Sequence, residues 1–145
     1  MNLYRVLSFF IIALMASCTQ ADSEVVISNV WVRASAPGQE VGAAYMTLQS
    51  GHGTTLVKTE SAAAGSVEIH SMTMDNGVMK MRRMDTLPLV AGKPTKLEPG
   101  GFHLMLFDLK KPLKAGEQAE FTLHFKDSAG KTSEIKLSAP IKVDD

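Results

Sequence analysis

The chain has 145 residues, with 15 Lys and Arg against 15 Asp and Glu, four His and one Cys. That length supports one domain with a single apolar core. The even charge balance gives no sign of the basic patch that nucleic-acid binding wants, and a single cysteine excludes a disulfide framework.

The N-terminus reads as a leader. Arg5 precedes an apolar run from Leu7 to Ala16, too short to span a bilayer and suited to the apolar part of a secretory signal. Ala16 and Ser17 then precede Cys18, an arrangement that resembles a bacterial lipoprotein signal. On that reading residues 1–17 are removed and Cys18 carries the lipid. The alternative is cleavage after Ala21, which leaves Asp22 first. Thr19 beside Cys18 favours the outer membrane in a cell that has two. Without residues 1–17 the chain keeps 14 basic and 15 acidic residues, a net charge of −1. Membrane attachment is therefore expected through the lipid and not through a polybasic face. The location is periplasmic or otherwise extracytoplasmic, and the domain must be held by its core alone.

Residues 18–24 are polar and read as a tether. From Val25 the pattern is β. VVISNVWVR (25–33) is β-branched and apolar, and Trp31 is expected in the core beside Val25 and Ile27 if that strand is regular. SAPGQEVG (35–42) is a loop. AAYMTLQS (43–50) alternates, with Ala43, Tyr45 and Thr47 opposed to Ala44, Met46 and Leu48. After the GHG turn, TTLVKTES (54–61) and SVEIHSM (66–72) are strands, separated by AAAG. VMKMRRM (78–84) follows the turn DNG. A short strand is expected over 94–98, then FHLMLFDL (102–109), then a closing hairpin from AEFTLHFKD (119–127) and KTSEIKLSAP (131–140). Short strands with turns every eight to twelve residues and no sustained helical period make an all-β sandwich or small barrel. The expected domain runs over 25–140, with a short tail at 141–145.

Two stretches carry the chemistry. In FHLMLF (102–107), Phe102, Leu104 and Leu106 form one face of a strand, and His103, Met105 and Phe107 the other. Residues two apart on a strand lie about 6–7 Å from each other along it, so His103 and Met105 can converge on one ion. In EIHSMTMDNGVMKMRRM (68–84), His70 is placed at the end of one strand. Met79 and Met81 share a face of the return strand, opposed to Val78, Lys80 and Arg82. A hairpin brings the two strands together, in a register the pattern leaves open.

Two imidazoles and two thioethers select a soft ion. Thioether sulfur suits Cu(I) and suits Mg²⁺ or Ca²⁺ poorly. Zinc takes cysteine, histidine or carboxylate. Blue-copper electron transfer needs a cysteine thiolate, and Cys18 belongs to the leader. No Ser-His-Asp arrangement, phosphate loop or carboxylate pair stands in a suggestive setting, so no enzymatic activity is expected.

His70, Met81, His103 and Met105 reproduce the spacing H-x10-M-x21-H-x-M. Together with VWVRASAPGQEVGAAYMTL, HSMTMDNGVMKMR, LEPGGFHLML and LKAGE, this resembles the periplasmic copper chaperone PCu(A)C family over residues 25 to 140. The resemblance implies a cupredoxin-like Greek-key β-sandwich that binds one Cu(I) through those four residues. It implies copper delivery toward the Cu(A) centre of cytochrome c oxidase, alongside Sco-type assembly factors. A monomer is expected. The rival readings are a copper-buffering or resistance protein with no specific acceptor, and a metal-free structural lipoprotein.

Ordinary structural roles are expected for the remaining methionines, histidines and basic residues. Met72, Met74, Met79 and Met84 are expected to pack in the core or at its rim. Met72, Met74 and Met79 are also the candidates for shielding the ion or serving as alternate ligands. His124 alternates with Phe121, Leu123 and Phe125 and should face solvent. His52, between two glycines, belongs to a loop. Lys80, Arg82 and Arg83 read as one solvated face.

Overall fold

Residues 25–144 are described by a computed structural model. The expected leader, Cys18 and the tether lie outside that range. The strands are β1 Val25–Arg33, β2 Gly42–Ser50, β3 Thr54–Ser61, β4 Ala64–Asp75 and β5 Val78–Met84. They continue with β6 Leu87–Leu89, β7 Thr95–Leu97, β8 His103–Leu109, β9 Gln118–Lys126 and β10 Thr132–Lys142. No helix occurs among the described residues.

The strand order is β5-β4-β8-β2-β1-β10-β9-β3-β6, with β7 paired to β2 off that path. It folds over into two layers. One holds β5, β4, β8, β2, β7 and β1, and the other β10, β9, β3 and β6. The end of β1 joins them by running parallel to β10, with Val32 opposite Ile141. The core lies between the layers. Met46, Leu48, Leu104 and Leu106 from one side meet Leu56, Phe121, Leu123 and Phe125 from the other, all fully or almost fully buried. Each such side chain contributes about 1.5–3 kcal/mol by leaving water. The period-2 alternation of β2, β8 and β9 supplies all of them but Leu56, which comes from β3.

Three features differ from the sequence expectation. β1 carries a bulge between Ser28 and Trp31, with Asn29 at φ 51°. One extra residue inverts the facing of all that follow. Val25 and Val32 therefore both point into the core, and Trp31 is turned to the outer face, its ring 4.5 Å from that of Tyr45. The chain also forms β6, too short for an alternation to be visible. Lastly, two strands are longer than expected: β4 runs past residue 72 to Asp75, and β10 past residue 140 to Lys142.

The turn between β4 and β5 positions the site. Asn76 and Gly77 both have positive φ, 49° and 79°, as a two-residue type I′ hairpin turn requires. That turn sets Asp75 opposite Val78, and hence Met74 opposite Met79, Met72 opposite Met81 and His70 opposite Arg83. On its other side β4 pairs with β8 only as far as His70 opposite His103. A single further bond runs from the Met72 N–H to the Gly101 carbonyl. The hairpin therefore projects beyond the sandwich.

Candidate metal centre

The outer face of the first layer collects the chemistry. On β8, Leu104 and Leu106 point inward, so His103 and Met105 point outward. On β4, Glu68 stands opposite Met105 and His70 opposite His103. On β2 the small Ala43 stands opposite Met105, which leaves room above the sheet. The result is a cleft of ≈ 320 Å³. Met72, Met81, His103 and Met105 line it with Pro99 and Gly100, and Arg33, Tyr45, Ala43 and Gln39 close the other side. Gly100 has φ 85°, a backbone that favours glycine.

The structure thus brings Met81, His103 and Met105 into one cleft. His70 stands just behind that lining, 9 % exposed, with its ring centroid 5.8 Å from that of His103 and 6.0 Å from that of Phe107. Met81 is 46 % exposed.

The hydrogen bonds settle which nitrogen of each imidazole is free. His103 Nδ1 lies 3.1 Å from the Gly101 carbonyl oxygen. A carbonyl only accepts, so Nδ1 carries the proton and Nε2 keeps its lone pair. His70 Nε2 lies 2.8 Å from Glu68 Oε2, and the carboxylate likewise makes it the protonated nitrogen. Nδ1 of His70 is then an acceptor, and it is buried with no partner. Leaving such a group unsatisfied costs about 1–3 kcal/mol. A metal ion bound at Nδ1 would remove that cost. The carboxylate–histidine arrangement is also how proteins orient an imidazole toward a metal. Among the described residues no three His, Cys, Asp or Glu side chains are grouped to hold an ion. The cleft adds thioether sulfurs to the two imidazoles, and thioethers suit a soft ion.

Glu68 was not singled out in the sequence. Its signal was the spacing E-x-H, two apart on a strand and so on one face. Its second oxygen lies 3.4 Å from Arg83 NH1. Arg83 therefore does not share a solvated face with Lys80 and Arg82: it stands on the side of His70 and engages Glu68. Lys80 pairs with Asp75. Across the cleft, the Arg33 guanidinium lies 5.3 Å over the Tyr45 ring and pairs with Asp144. Burial pushes the Tyr45 phenol pKa up, and the Arg33 charge opposes this.

The remaining methionines divide. Met72 lines the cleft opposite Met81. Met84 packs against the core. Met74 and Met79 depart from the packing expectation, being 66 % and 55 % exposed on the projecting hairpin. His124 lies on the outer face of the second layer, where Nε2 is 2.6 Å from Glu60 Oε2. His52 sits in the exposed turn between β2 and β3.

Residues 25–141 match the family described as putative lipoprotein LpqE-like. The putative lipoprotein Lxx21020 of Leifsonia xyli subsp. xyli is 37 % identical over 126 residues, 85 % of this chain and 72 % of that protein. The uncharacterized protein RP573 of Rickettsia prowazekii is 36 % identical over 84 residues, and the match spans 46 % of its length. Among solved structures, the copper-bound PCuAC domain from PmoF2 is similar at TM-score 0.66 and 27 % identity, covering 83 % of this chain and 94 % of that one. The CuI form of DR1885 from Deinococcus radiodurans is similar at TM-score 0.63 and 32 % identity, covering 87 % and 83 %. The shared architecture is the cupredoxin-like β-sandwich.

Proposed function

The chain belongs to the LpqE-like lipoprotein family and to the PCuAC copper-chaperone family, and from that premise we propose how it carries copper and to whom. It is an extracytoplasmic, lipid-anchored metal carrier and not an enzyme. The proposed ligands for one Cu(I) are His70 Nδ1, His103 Nε2 and the sulfurs of Met81 and Met105. The observation that carries this is the buried, unpartnered His70 Nδ1 beside a cleft lined by the other three side chains. Cys18 is the proposed site of the lipid.

The donor set favours holding Cu(I) over turning it over. Thioethers are neutral and carry no proton, so exchanging one for a partner's donor leaves copper at +1 and moves no charge from the protein. Met81, half exposed on the rim, is the ligand a partner reaches first. The proposed acceptor is the Cu(A) site of cytochrome c oxidase or its Sco-type assembly factor, on the resemblance of the motif.

An anaerobic Cu(I) titration of the full chain in detergent, against a Cu(I)-specific chelator, tests the site. One-to-one competition that His103→Ala/Met105→Ala loses is expected. Failure of the folded wild type to compete overturns it. The acceptor is tested by the rate of transfer to an apo Cu(A) domain. A rate above that to free chelator supports specific delivery, and a rate equal to it supports buffering.

A further inference from the structure

Two more methionines stand on the face that carries the cleft, and packing does not account for them. Met74 and Met79 are directly opposite each other in the β4–β5 ladder, one step outward from the Met72–Met81 pair. Directly opposed strand residues have Cβ atoms about 4.5–5.5 Å apart, within reach of two flexible thioether chains meeting at one ion. The intervening residues, Thr73 and Lys80, point to the other face. This part of the hairpin lies beyond the last β4–β8 pair, so it has no core beneath it to fill. Yet four large apolar side chains, Met74, Val78, Met79 and Met81, are exposed there. The two-residue turn at Asn76 and Gly77 fixes the pairing.

We propose that Met74 and Met79 form a second, weaker Cu(I) position at the hairpin tip, continuous with the cleft through Met72 and Met81. It extends the copper-carrier reading by a step and rests on it. Two neutral sulfurs in contact with water hold Cu(I) less tightly than a cleft that also supplies two imidazoles. Passage from the Met72–Met81 rung to the Met74–Met79 rung swaps thioether for thioether. Copper stays at +1, no proton or electron moves, and no co-reactant is needed. The ion is thereby presented where a partner protein can approach from both sides of the hairpin.

The test is an anaerobic Cu(I) titration of the full chain in detergent, followed by the NMR signals of carbon-13-labelled methionine methyl groups. Met46 and Met84, packed in or against the core, are internal references. The expected result is that Met81 and Met105 shift within the first equivalent and Met74 and Met79 only between the first and second. Met74→Leu/Met79→Leu, exposed and close in volume, should lose the second equivalent and keep the first. Met74 and Met79 signals unmoved through two equivalents, or shifting together with Met81 in the first, overturn the proposal. Silent Met81 and Met105 signals count against the ligand set proposed above instead, so the two failures are told apart.

Discussion

Glu68 Oε2 holds His70 Nε2 at 2.8 Å, while the other nitrogen of that ring is buried without a partner. The pair works as a lever. The carboxylate pins the proton on Nε2 and so reserves Nδ1 as a donor atom. Glu68→Ala frees both tautomers and should weaken Cu(I) binding by about 10- to 100-fold, the usual cost of losing such an outer partner. Glu68→Gln keeps an accepting oxygen and should retain most of the affinity. Ring nitrogen-15 shifts of His70 read the tautomer directly. An unchanged tautomer in the alanine variant sinks the idea.

Stability and binding should separate along a single strand, β8. Leu104 is fully buried between the layers, and Leu104→Ala should cost about 2–5 kcal/mol in urea unfolding. Met105, its neighbour, faces the cleft. Met105→Leu conserves volume and should cost less than about 1.5 kcal/mol, yet weaken Cu(I) binding. A loss of stability equal to that of Leu104→Ala would show that Met105 serves packing.

Much of this was legible from residue types because β2, β8 and β9 alternate cleanly, one side meeting the core and the other not. The alternation failed where one residue was added, at the Asn29 bulge that turns Trp31 outward. It also failed beyond His70, where β4 has no buried side and therefore no alternation between inside and outside to read. The hairpin register follows only when Asn76-Gly77 is taken as a two-residue turn. Counted from that turn, Met81 falls opposite Met72 and not His70. Glu68 stayed hidden because a glutamate on a strand looks like solvated surface until a histidine is found bonded to it.

The second layer carries a pH-dependent contribution away from the cleft. Lys58 and, next, His124 hydrogen-bond to Glu60 and hold its pKa below the usual carboxylate value of 4.5. A depressed folded pKa means stability present above the unfolded value and lost as the pH falls through the folded one. The network is solvent-exposed, so its contribution is small and weakened by salt. Glu60→Gln should lower the urea midpoint at neutral pH, and the gap to wild type should close in acid below 4.5. A gap that stays constant with pH would rule out the ion-pair origin.

The hairpin turn offers the last test, because backbone strain there can be applied without a clash. A Cβ added at Gly77 meets nothing within 4 Å, but Gly77 has φ 79°. Gly77→Ala therefore costs only the left-handed conformation, about 1–2 kcal/mol. The hairpin tip buries little, so this cost should appear as local opening and not as a fall in global stability. Hydrogen exchange of the amides between Thr73 and Lys80 should speed up, while those of β9 stay unchanged. Asn76→Gly keeps a residue that accepts positive φ and should leave the exchange near wild type. Because the same turn aligns Met72 with Met81 and Met74 with Met79, Gly77→Ala should weaken Cu(I) binding in step with the opening. It should do so less than Met81→Leu, which removes a sulfur outright. Faster exchange with undiminished copper binding would mean that the register at the tip does not matter to the site.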